Sequence, residues 1–154
     1  KYKMEIIIGK NPFDYSDELC KKLSHYHTAR ESLELTCMEE QPDAVVEIAQ
    51  SMSHPDSPQL RFLAAPGYDF GKIRNGTHFP AYYNADRIRT HGNLHIEQSQ
   101  VPLIISGPNG LVEKRQIPCA RHIDWFPTFL EIAGYDAPTD IDGISLLNLP
   151  YSVR

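Results

Sequence analysis

Short apolar runs alternate with polar segments that are rich in Gly and Pro along most of the chain. The runs at residues 4–8, 32–37, 60–65 and 101–106, with a shorter one at 117–119, predict β-strands. Residues 101–106 are apolar on both faces, which suits a strand at the centre of a sheet that is covered by helices on both sides.

Apolar residues at helical spacing predict helices over residues 17–26, 44–52 and 124–133. Pro127 falls in the first turn of the last helix and Gly134 falls just beyond its end, which is the usual asymmetry of helix termini. Because strands and helices alternate along the chain, the predicted fold class is α/β. Helix-capping side chains are expected at Ser16 or Asp14, at Asp43 and at Asp124.

Composition places the chain among globular proteins. Its 154 residues are 41% hydrophobic and 23% charged, enough to bury a core in one domain or in part of a larger one. The net charge of −5 without a Lys/Arg run argues against a nucleic-acid groove. No apolar run approaches the roughly 20 residues of a membrane helix, so no membrane segment is expected.

Three widely separated cysteines form neither a disulfide framework nor a CxxC metal pair. Three reduced thiols are the favoured interpretation, and one disulfide with one free thiol is the alternative. They are Cys20, Cys37 and Cys119.

The candidate chemistry lies in the second half of the chain. Residues 67–99 form a long stretch rich in Gly, Asn, Tyr and His, and such stretches inside a compact domain are often functional. Near its end stands Thr90-His91-Gly92, followed by a polar segment and the apolar run that begins at Val101-Pro102. An Asp-x-x-Pro-Thr helix follows at 124–128, and an Ile-Asp-Gly-x-Ser-Leu turn follows at 141–146.

In this order and spacing, these blocks resemble the C-terminal portion of the alkaline phosphatase superfamily, in particular its nucleotide pyrophosphatase/phosphodiesterase branch. The resemblance implies that residues 1–154 are the C-terminal part of one hydrolase domain with an α/β/α sandwich fold. Residues 1 to about 75 would form a small α/β lobe. Residues from about 76 to 154 would supply a metal loop, a core strand and a C-terminal helix.

Members of that branch are two-zinc hydrolases, and the resemblance carries one zinc ligand onto this chain, His91. It places no catalytic residue here, since the Thr or Ser nucleophile and the other metal ligands belong to an N-terminal portion that precedes these blocks. It therefore implies a phosphodiester or nucleotide-like small-molecule substrate and an inactive isolated chain. Many relatives work outside the cytoplasm. Arg89 departs from the Gly that often precedes this triplet.

Alternative interpretations remain open at this point. A sulfatase or a phosphonate hydrolase of the same superfamily, or a non-catalytic binding domain, are the rival functions. His91 could instead be a loop histidine bonded to a backbone carbonyl, and His95 a solvent-exposed residue or one beside the metal ligands. His78, Tyr82 and Tyr83 are expected either to line a substrate cleft or to pack within their loop.

Overall fold

The computed structural model describes residues 1–7, 9–58, 60–65, 72–74, 77–79, 93–108, 110 and 112–149. The chain divides into two compact units, Lys1–Val101 and Pro102–Arg154. The division expected near residue 75 falls at a residue outside the described ranges, so it stays a prediction.

Helices make up most of the regular secondary structure among the described residues. The regular elements in chain order are α1 (Asp17–Leu23), α2 (Ala29–Thr36), α3 (Ala44–Ser51), β1 (Lys72–Arg74), β2 (Thr77–Phe79), α4 (Ile96–Ser99) and α5 (Trp125–Ile132). Two short 3₁₀ helices, His122–Asp124 and Leu146–Asn148, flank α5 in the second unit.

Side-chain caps begin the first two helices. The Ser16 hydroxyl accepts from the backbone N–H of Leu19 and starts α1, so of the two predicted caps, Ser16 and Asp14, it is Ser16 that caps the helix. α2 begins with a capping box: the Thr28 hydroxyl accepts from Glu31 N (3.2 Å), and the Glu31 carboxylate accepts from Thr28 N (2.7 Å). Both termini are therefore fixed by contacts that are local in sequence.

The core of the Lys1–Val101 unit lies between the loop before α1, α1 itself and α3. Within it the buried Tyr15 hydroxyl donates to the carbonyl of Gln41 over 2.5 Å, and burial raises the pKa of that hydroxyl. The bond ties the turn before α3 to the core. The buried cluster comprises Phe13, Tyr15, Leu19, Leu23, Ala44 and Val45.

The prediction of an α/β/α sandwich is wrong for this structure. The only strands among the described residues are β1 and β2, three residues each, which pair antiparallel with Ile73 opposite His78. The segment predicted as a strand at 32–37 lies almost entirely in α2. Its capping box and its buried Leu33 favour a helix there, because one face of the helix reaches the core.

The described parts of the other four predicted strands also lack strand structure. In the run at 101–106, Val101 is 63% exposed and Ile104 is 87% exposed. A strand is stabilised by neighbouring strands and by side chains that cover its faces, and Val101 and Ile104 have little such cover. Apolar character alone therefore does not make this segment a strand.

The helix predicted after Asp124 is confirmed as α5. It contains Pro127 near its start and ends at Ile132, and Gly134 follows the C-cap residue Ala133 with a φ of 78°, which suits glycine. Gly134 N donates to Glu131 O (3.0 Å) and Tyr135 N donates to Leu130 O (2.9 Å), the paired bonds of a Schellman motif.

Candidate functional site

The residue expected to bind zinc, His91, lies outside the described residues, as do Thr90, Gly92, Tyr82 and Tyr83. His78 belongs to β2, where only the backbone is described. The structure therefore does not describe these side chains, and their roles stay predictions.

The described residues resume at Asn93, two positions after His91. There the chain contacts earlier segments of the same Lys1–Val101 unit. The Asn93 amide nitrogen donates to Ala64 O (2.8 Å), and its Oδ1 accepts from Leu94 N (2.7 Å). Leu94 packs against the core, and Ile96 N donates to Glu40 O (2.8 Å). We call these contacts of Asn93, Leu94 and Ile96 the Asn93 clamp.

His95 occupies the N-cap position of α4 between two members of the clamp. Its Nδ1 lies 3.7 Å from Glu40 Oε2, and only 13% of its side chain is exposed. The prediction that His95 is solvent-exposed is therefore wrong, because its ring packs against the turn that precedes α3.

In the second unit, Asp124 joins two of the blocks that the sequence singled out. It occupies the N-cap position of α5, but its side chain makes no cap hydrogen bond to that helix, so the side-chain cap predicted there is wrong. However, its buried carboxylate (3% exposed) accepts from Arg121 N (2.8 Å) and from Ile144 N (3.0 Å). The carboxylate thus connects the start of the helix to the Asp142-Gly143 turn.

Thr128 extends the same connection one helical turn further. Its fully buried hydroxyl donates to Asp124 O (2.5 Å) and accepts from Leu146 N (2.9 Å). The guanidinium of Arg115 donates to the Leu146 carbonyl. Asp124 and Thr128 are therefore structural, and we call the pair with its partners Ile144 and Leu146 the motif clasp.

Gly143 allows the turn of the motif clasp to approach the helix start closely. A Cβ atom at this position would lie 2.0 Å from the carbonyl oxygen of Ile123, a distance that real Cβ atoms do not show. Leu146 is buried, whereas Ile144 is 39% exposed. The Asp-Gly pair in this block is thus explained by main-chain packing.

His122 lies beside α5 with its ring against the edge of Trp125, at 4.2 Å between ring centroids. The imidazole is exposed. This contact is an ordinary packing contact and gives His122 no chemical role.

Zinc takes four nitrogen, sulfur or oxygen ligands in proteins. Within the described ranges, no three His, Cys, Asp or Glu side chains are grouped closely enough to hold a metal ion. The described residues alone therefore do not fit a zinc site, and the expected zinc rests on the sequence around His91.

Sequence reasoning missed the Asn93 clamp. Asn93 and its acceptor Ala64 are 29 positions apart, and Ile96 and Glu40 are farther apart still. No pattern within a single segment links such pairs, because the bonds exist only after the two segments meet in space.

No protein-family model matches this chain, and no solved structure matches it. No helix among the described residues has both the length and the apolar character needed to cross a bilayer.

Proposed function

We propose that this chain is the C-terminal part of a metal-dependent phosphoric ester hydrolase of the phosphodiesterase/nucleotide pyrophosphatase type. In this proposal, His91 is one ligand of a two-zinc site, and the Thr or Ser nucleophile is supplied by a preceding portion of the same protein. The substrate is a phosphodiester or a nucleotide-like small molecule.

The observation that carries the proposal is the ordered set of sequence blocks from Thr90-His91-Gly92 to Ser145-Leu146. It is supported by the motif clasp, in which Asp124 and Thr128 of one block hydrogen-bond to the backbone of the next. The blocks at 124–128 and 141–146 are therefore parts of one folded unit, as they would be if both came from the same hydrolase domain. If the two matches had arisen by chance, the blocks would not need to contact each other.

The test uses the complete gene product that contains this chain, assayed for zinc content and for cleavage of a nitrophenyl phosphodiester. We expect bound zinc and cleavage in the wild type. His91→Ala should lower both, because it removes a metal donor. His54→Ala, which removes an exposed histidine from the same unit, is the matched control and should leave both unchanged.

The isolated 154-residue chain should cleave none of these substrates. Zinc-dependent cleavage by this chain alone, or full zinc content in the His91→Ala protein, would contradict the proposal. Preference for a nitrophenyl sulfate or for a phosphonate over the phosphodiester would instead assign the protein to the sulfatase or phosphonate hydrolase branch. A metal-free, inactive wild type would indicate a non-catalytic binding domain.

A further inference from the structure

We draw no further inference here: the strongest candidate, the exposed apolar surface patch that Phe126 and Phe129 form on one side of α5, carries none, because nothing in the described part of the chain shows what covers it.

Discussion

At the residue scale, the most informative groups of this protein are buried polar side chains whose hydrogen bonds join distant segments. Thr128 has no exposed surface and uses its hydroxyl as donor and acceptor at once. Asp124 likewise divides its carboxylate between two backbone N–H groups. Such groups are costly to bury unless every bond is made, so they specify one arrangement of the segments they join.

Replacing Thr128 with Val should destabilise the Pro102–Arg154 unit by about 1–3 kcal/mol, because the buried Leu146 N–H loses its acceptor. The measurement is urea unfolding followed by the fluorescence of Trp125, the one tryptophan of the chain, which lies in α5. Thr128→Ser keeps the hydroxyl and should cost only about 1 kcal/mol for the lost methyl. Equal stabilities of the Val variant and the wild type would show that the hydroxyl is not needed.

At the element scale, the termini of the helices decide what each segment becomes. The residues at 32–37 carry an apolar pattern that suits a strand, yet the capping box of Thr28 and Glu31 starts a helix just before them. The same local bonds hold the pKa of Glu31 below its usual value of 4.5, because the Thr28 backbone N–H and hydroxyl both donate to the carboxylate.

This capping box should make the free energy of unfolding depend on pH in the acidic range. A lowered pKa in the folded state means that the ionised Glu31 stabilises the fold fully above pH 4.5, and that this contribution is lost as the pH falls through the lower folded value. Glu31→Gln should therefore be less stable than the wild type at pH 7, and the two should converge below pH 4.5.

Thermal unfolding followed by far-ultraviolet circular dichroism from pH 7 to pH 3 checks this. Glu47→Gln, in the first turn of α3, is the control, since α3 begins without a capping box. A difference between Glu31→Gln and the wild type that does not change with pH would argue against a role for the ionised carboxylate.

At the scale of the whole molecule, large apolar side chains remain exposed in both units. In the Lys1–Val101 unit, Phe62 is 74% exposed. In the Pro102–Arg154 unit, Ile104 is 87% exposed, and Phe126 and Phe129 of α5 are 56% and 51% exposed, while the buried side of that helix carries Pro127 and Thr128. Exposed apolar groups of this size on one element favour association with other surfaces.

The isolated chain is therefore expected to self-associate. In sedimentation velocity, its average mass should rise with concentration, and the double variant Ile104→Glu/Phe126→Glu should shift it toward the monomer. Gln98→Glu adds a carboxylate at an exposed polar position and should leave association unchanged. A monomeric mass at all concentrations would show that these side chains do not drive association.

The sequence by itself determined features whose causes are local. The span of α3 to within a residue, and α5 with Pro127 in its first turn and Gly134 just beyond its end, were predicted from residue types at local positions. Ser16, one of the two caps expected for α1, makes its bond to a residue three positions away. Tertiary structure decided the rest. Residues 101–106 form no strand, since a strand depends on partners elsewhere in the chain. Asn93, Asp124 and Thr128 each make one hydrogen bond to a partner 18 to 29 positions away. Hydrogen bonds between distant segments form only when the chain folds, so no local sequence pattern predicts them.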